Sequence, residues 1–286
     1  MRIAVAGGGG MLGRDLVPRL AALPGGHAVR VLDRPEVDLA EAAALESALA
    51  GFAPDLIYDL AAMTDVDGCE LDPVQAERDN VTAAANLADL AARHGALLVF
   101  ISTDYVFDGT ARVAIPPGAP VSPLSVYGRT KLAGERAVQA RCARWLIVRT
   151  AWLVGVHGRN FVEAVRERAA RGLPLEVVDD QRGTPTFTFD LAPALVTLGL
   201  GGHTGVLHVT NQGECSRYEQ AAEILRLEGR RVPLAAVKSD RYPRPARRPA
   251  YSVLDNTAAN AILGTPLPPW HESLARYLKL RPAPAS

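Results

Sequence analysis

The chain is 286 residues long, enough for one large domain or a domain with a smaller lobe, and its 48% hydrophobic and 22% charged residues are those of an ordinary globular protein. Lysine plus arginine and aspartate plus glutamate number 31 each, so no overall charge draws the chain to nucleic acid or to an acidic membrane surface. No apolar stretch approaches the roughly 20 residues that span a bilayer, and the N-terminal MRIAVAGGGG is too short in its apolar part for a secretion signal.

In chain order, short apolar runs alternate with alanine-rich stretches. Strands are predicted at Arg2–Ala6, Ala28–Leu32, Asp55–Leu60, Leu97–Ile101, Trp145–Arg149 and Leu175–Val178. Helices are predicted over Leu12–Leu23, Ala40–Ala50, Pro73–His94, Val126–Cys142 and Phe161–Arg171, with Asp38 as an N-cap ahead of Leu39–Leu49 and Gly51 as its stop. Strands apolar throughout suit a parallel sheet covered on both faces, and right-handed crossovers then give an α/β fold with a doubly wound sheet. Past about residue 150 the pattern loosens and proline becomes more frequent. The expected division is a core over 1–150 and a smaller lobe over 151–286, with about 175–200 returning to the core. Residues 281–286 read as a disordered tail. The three cysteines, Cys69, Cys142 and Cys215, lack a CxxC spacing and read as small buried hydrophobes in a reducing, cytoplasmic setting. The six histidines show no metal spacing, so no metal site is expected.

The first strand runs into a glycine loop in which Gly7, Gly10 and Gly13 stand three apart at the start of a helix. Glycine removes the Cβ that would block a pyrophosphate, and the helix N-terminus presents free N–H groups to it. Asp33, ending the second strand, suits the ribose hydroxyls of NAD, while the neighbouring Arg34 suits the 2′-phosphate of NADP. A dinucleotide-binding, Rossmann-type core follows, and both coenzyme forms stay open.

In VYGRTKLAGE, Tyr127 and Lys131 lie four apart at a helix start and share a face. A free phenol titrates near pH 10, and an ammonium beside it is expected to lower that value, giving a general acid for a carbonyl oxygen. In STDYVFDG, at the end of the fourth strand, the hydroxyl of Ser102 or Thr103 can donate a hydrogen bond to the same carbonyl.

Taken together, GGGGMLG, STDYVFDG, YGRTKLAGE, RTAWLVG, GRNFV, VVDDQRGTPT, LHVTNQGECSRYE and RRPAYSVLD resemble, in order and over nearly the whole chain, the dTDP-4-dehydrorhamnose reductase family of the extended short-chain dehydrogenase/reductases. The resemblance implies Thr103, Tyr127 and Lys131 as the catalytic set. It implies sugar contacts from Asp104 and Trp152, a nucleotide-sugar segment at Asn160 and Phe161, and a diphosphate contact from Arg248. Asn160 reads equally well as a helix N-cap. Cofactor-side positions are expected at Gly7, Gly10, Met11, Leu12, Gly13, Asp33, Arg34, Asp38, Leu39, Ala61, Ala62 and Thr64, together with Tyr127 and Lys131. The implied cofactor is NADPH or NADH, the partner a dTDP-sugar, and the assembly a homodimer. Asp15 and Asp190 occupy places comparable to a magnesium contact of some family members, and two carboxylates alone make a weak site.

One departure stands out. TARVAIPPGAPVSPLS, between Gly109 and Val126, replaces an acidic stretch with prolines and is expected to border the crevice and alter sugar specificity. The favoured activity is reduction of the 4-keto group of a dTDP-linked 6-deoxysugar. The alternatives are a nucleotide-sugar epimerase with the same Tyr/Lys pair and a non-catalytic, dinucleotide-binding regulatory subunit.

Overall fold

A computed structural model describes residues 1–281; the expected disordered tail therefore lies, beyond Arg281, outside the described residues. β1 (Arg2–Ala6), β2 (Ala28–Leu32), β3 (Leu56–Asp59), β4 (Leu97–Thr103) and β5 (Trp145–Thr150) form a parallel sheet, and Gly205–His208 joins it beyond β5. Across the sheet the order is Gly205–His208, β5, β4, β3, β1, β2, so the winding reverses between β1 and β3. A crevice opens at such a reversal, off the carboxyl ends of the strands.

The helices that matter here are α1 (Gly13–Ala21), α2 (Ala42–Ala48), α3 (Val66–Leu71), α4 (Pro73–Glu77), α5 (Ala83–His94), α6 (Val126–Arg141), α7 (Phe161–Ala170), α8 (Thr188–Leu200) and α9 (Arg217–Glu228). Alternate residues of each central strand bury against opposite helical layers. Ile3, Val5, Tyr58, Val99 and Val148 pack with Leu16 and Leu20 of α1 and Leu191, Leu195 and Leu198 of α8. Ala4, Ala6, Ile57, Leu98, Phe100 and Ile147 pack with Leu87, Leu90 and Ala91 of α5. Burial on both faces is why these strands read as unbroken apolar runs.

Four expectations shift. The sixth place in the sheet belongs to Gly205–His208, whereas Leu175–Val178 pairs with Leu234–Val237 and buries Leu175 and Val177 in a second core with Val162, Val165, Phe187, Ile224 and Tyr277. β4 extends through Thr103, so Ser102 and Thr103 stand on the strand and not just past it. α2 begins at Ala42 with Glu41 as its N-cap; Asp38 does not cap it, because its carboxylate accepts from the Ala40 N–H in a turn ahead of the helix and pairs with Arg34 and Arg78. The predicted Pro73–His94 helix is interrupted by a π turn, Arg78–Thr82. That turn buries Asn80, whose amide bonds both the N–H and the carbonyl of Met63 and donates to Thr130 Oγ1 on α6.

All three cysteines are buried and free. Among the described residues no helix is long and apolar enough to cross a membrane.

Candidate active site

The glycine loop closes tightly on itself. Gly7 has φ +77°, its carbonyl accepts from the Gly10 N–H at 3.1 Å, and a Cβ at Gly13 would collide with the carbonyl oxygens of Gly7 and Gly8. Backbone conformation and close approach both demand glycine, and the result is a cradle a side chain would fill. Asp33 Oδ2 accepts from the Gly9 N–H at 2.5 Å, fixing the carboxylate beside the loop. A cavity of about 510 Å³ there is lined by Gly7, Gly9, Gly10, Asp33, Arg34, Leu39, Ala61 and Ala62, with Asp79 from the π turn. Asp38 does not line it; its carboxylate holds Arg34 and Arg78 from behind. The residues fit a dinucleotide: an N–H-rich loop for the pyrophosphate and a carboxylate for a ribose.

An adjoining cavity of about 430 Å³ collects Gly7, Gly10, Met11, Leu12, Gly13, Ala62, Thr64, Thr103, Asp104, Tyr127, Lys131 and Trp152. α6 delivers two of these. Ser125 caps it by accepting from the Gly128 N–H, and the i, i+4 spacing turns Tyr127 and Lys131 to the same side. The structure also separates the two candidate hydroxyls. Both residues line the cavity, but Ser102 Oγ donates to Glu135 Oε1 at 2.5 Å, inside a buried ion pair with Arg149, while Thr103 Oγ1 donates to Asp104 Oδ1 at 3.0 Å.

Electrostatics depart from the expectation for Tyr127. Burial pushes the phenol above its ordinary value of 10.0, with the Thr103 hydroxyl opposing, so desolvation outweighs any help from α6. The phenol is thus protonated through the neutral range, the state a proton donor needs before turnover. Burial also pushes Lys131 down to about 8, opposed by Asp59 and Glu135, and its Nζ rests 4.1 Å from the centre of the Phe100 ring. Burial pushes Asp104 up to about 6, and its Oδ2 has no hydrogen-bond partner among the described residues.

Trp152 stands against the cavity with φ +47°, the positive-φ residue other than glycine among those described. Asn160 is not brought to the site. Its Oδ1 caps α7 by accepting from the Glu163 N–H, and its Nδ2 donates to Gly155, Gly158 and Tyr277, so the amide is spent on structure. Arg248 lines a third cavity of about 840 Å³, basic in that four arginines face three carboxylates, Glu176, Asp180 and Asp240, but both its Nη atoms are held by Asp67, at 3.1 and 2.9 Å. The loop after Gly109 lines none of these cavities. Ile115 and Pro117 are tied by His208, Arg149 and the Val253–Asp255 backbone, so the expectation that it borders the crevice is corrected. Asp15 is engaged by Thr188 and Arg19, and Asp190 by Asn211, Ser273 and Arg276. Among the described residues no group of three or more His, Cys, Asp or Glu could hold a metal ion.

Sequence reasoning missed Asn80, Glu135 and Arg217. Glu135 was within reach, since it continues the Tyr127, Lys131 stripe by four more residues. Arg217 and Asn80 carry no local signal; the first lines both the reactive and the basic cavity.

A dinucleotide cradle joined to a pocket holding a protonated phenol, a lysine and a hydroxyl defines an oxidoreductase of the short-chain dehydrogenase/reductase kind. The chain belongs to the family described as RmlD substrate binding domain, whose profile matches residues 1–281. It is 41% identical, over 96% of this chain and 93% of the relative, to a probable dTDP-4,6-dihydroxy-2-methyloxan-3-one 4-ketoreductase of Streptomyces antibioticus. Its fold matches a dTDP-4-dehydrorhamnose reductase of Clostridium acetobutylicum with a TM-score of 0.93 at 38% identity, over 98% of this chain and 99% of that one. The Bacillus anthracis dTDP-4-dehydrorhamnose reductase solved in complex with NADP matches at TM-score 0.93 and 31% identity, covering 98% and 99% of the two chains. The family resemblance read from the sequence motifs is therefore met.

Proposed function

We propose that the protein reduces the 4-keto group of a dTDP-linked 6-deoxysugar, with dTDP-4-dehydro-L-rhamnose giving dTDP-L-rhamnose, using NADPH or NADH. The observation that carries the reading is that Tyr127, Thr103 and Lys131 share one cavity, with the glycine cradle on one side and an arginine-lined cavity on the other. The reduced nicotinamide, when bound, supplies a hydride to the ketone carbon. Tyr127 donates its phenolic proton to the ketone oxygen. Thr103, whose single hydroxyl proton goes to Asp104 Oδ1 in the free protein, would turn it to that oxygen as negative charge develops there. Lys131 adds positive charge on the same face and holds the nicotinamide-side ribose. Asp33 and the glycine loop seat the rest of the coenzyme, and Asp104 and Trp152 contact the sugar.

In this reading residues 1–150 form the coenzyme core and most of 151–286 the substrate lobe. The protein works in the cytoplasm, as its unpaired cysteines suit, and as a homodimer, as the family resemblance implies. Mixing it with a dTDP-4-keto-6-deoxysugar and following NAD(P)H absorbance tests the activity. Absence of turnover with every such sugar overturns it, and tightly retained NAD without net oxidation replaces it by epimerisation.

A further inference from the structure

We propose that Arg217 is the residue that grips the phosphate adjoining the sugar of the nucleotide-sugar substrate, in place of Arg248; the proposal rests on the functional reading above. Arg217 stands where the reactive cavity meets the basic one and lines both. Its guanidinium lies 3.4 Å from the centre of the Trp152 ring and 5.0 Å from that of Phe161. Nη1 donates to Gln220 Oε1 at 3.2 Å, and among the described residues no carboxylate stands within ion-pairing distance.

The other arginines of the basic cavity differ. Arg244 and Arg248 converge on Asp67, which ties the Arg244–Arg248 segment to α3, and Arg247 is exposed. Their charges are already neutralised or hydrated. Arg217 is partly buried, and desolvation pushes its pKa down to about 10. A cation kept from water, with the Asp104 carboxylate acting on it only from beyond ion-pairing distance, is a standing cost that a bound anion reduces. Stacking on the indole also fixes the plane of the guanidinium and leaves its donor edge for a planar, bidentate contact.

The anchor beneath it is rigid. A Cβ at Gly183 would come within 2.5 Å of Trp152 Cε2, so the indole is clamped between the Gly183 backbone and Arg217. With Trp152 walling the sugar, the anion one step farther out is the phosphate on its anomeric carbon.

Calorimetric titration of dTDP into the folded protein tests the assignment, with NADPH titration as the control. Arg217→Gln is expected to weaken dTDP about 10- to 100-fold, the size of a lost charge-assisted pair, and Arg217→Lys to restore part of it, with NADPH affinity unchanged in both. Arg248→Gln is expected to lower the melting temperature more than the dTDP affinity. Wild-type-like dTDP binding by Arg217→Gln overturns the proposal, and so does an equal loss of NADPH binding. Wild-type protein that binds neither dTDP nor a dTDP-sugar overturns the proposed function, and this assignment with it.

Discussion

The Thr103 hydroxyl donates to the carboxylate of its neighbour Asp104 across 3.0 Å, so the end of β4 presents one polar unit to the cavity that holds Tyr127. In the proposed mechanism the two hydroxyl-bearing groups have separate tasks, and variants should separate them. Tyr127→Phe removes the proton donor and is expected to lower kcat by about 10²- to 10⁴-fold. Thr103→Val removes a donor to the developing oxyanion and is expected to cost about 10²-fold or more in kcat. NADPH binding should survive Thr103→Val and fall far less than kcat in Tyr127→Phe, since Tyr127 is also a proposed cofactor-side position. Steady-state kinetics with a dTDP-4-keto sugar would check this, and a Tyr127→Phe enzyme of normal turnover would sink the mechanism.

Asp104 is expected to trade stability for function. Burial lifts its pKa from 3.8 to about 6, so the folded state binds this proton more tightly than the unfolded chain does. That preference stabilises the fold fully below about pH 3.8 and is lost as pH rises through about 6. At neutral pH the protein holds a desolvated carboxylate, at a cost of up to about 3 kcal/mol. Asp104→Asn should therefore unfold in urea at a higher midpoint than wild type near pH 7.5, lose that advantage near pH 4, and turn over sugar poorly. A variant less stable than wild type at both pH values would contradict the assignment.

How much of this was legible in the sequence depended on whether the deciding partner was local. β1 and β3 to β5 were readable because each alternates between two apolar layers, leaving polar residues only at the strand ends. Gly205–His208 was not, since only Val206 and Leu207 are apolar and the strand is defined by pairing with β5. Leu175–Val178 carried the same pattern and found another partner. Tyr127 and Lys131 followed from helical spacing, but the direction in which the phenol's pKa moves did not, because spacing counts neighbours and burial dominated. Asp38 looked like a cap because the arginine that draws it away, Arg78, lies in a distant π turn. Arg217 was silent for the same reason, its ring partners being Trp152 and Phe161.

Coenzyme choice should hinge on a carboxylate that does not touch the usual ribose position. Arg34 Nη2 stands 2.5 Å from Asp79 Oδ1 and 3.2 Å from Asp38 Oδ1, so the guanidinium suited to a 2′-phosphate is already neutralised, with Asp33 close by. Wild-type protein is therefore expected to use NADH at least as well as NADPH. Asp79→Asn removes the shorter of Arg34's two ion pairs and should raise kcat/KM for NADPH relative to NADH by about 3- to 10-fold, a gain limited because Asp38 still holds the arginine and it is half exposed. An unchanged ratio in that variant would show that Arg34 does not face the 2′ position.

The Glu135–Arg149 pair tests what holds the catalytic strand and helix together. Glu135 is buried on α6, and its carboxylate accepts from Arg149 Nε at 2.8 Å, Arg149 Nη2 at 2.7 Å and Ser102 Oγ at 2.5 Å. Arg149, on β5, donates its remaining Nη1 to the Pro117 carbonyl at 3.1 Å, so one ion pair ties α6, β4, β5 and the proline-rich loop. Removing one partner strands the other charge away from water, whereas removing both leaves no unpaired charge and costs only packing and the bonds to Ser102 and Pro117. Glu135→Ala should thus cost about 3–5 kcal/mol in denaturant unfolding. Adding Arg149→Met should recover much of that, since an apolar replacement of a buried pair is often near neutral. With Ser102 released beside Thr103, the single variant should also lose kcat out of proportion to any change in NADPH binding. A Glu135→Ala protein within about 1 kcal/mol of wild type would mean that the pair is solvated in solution and positions nothing.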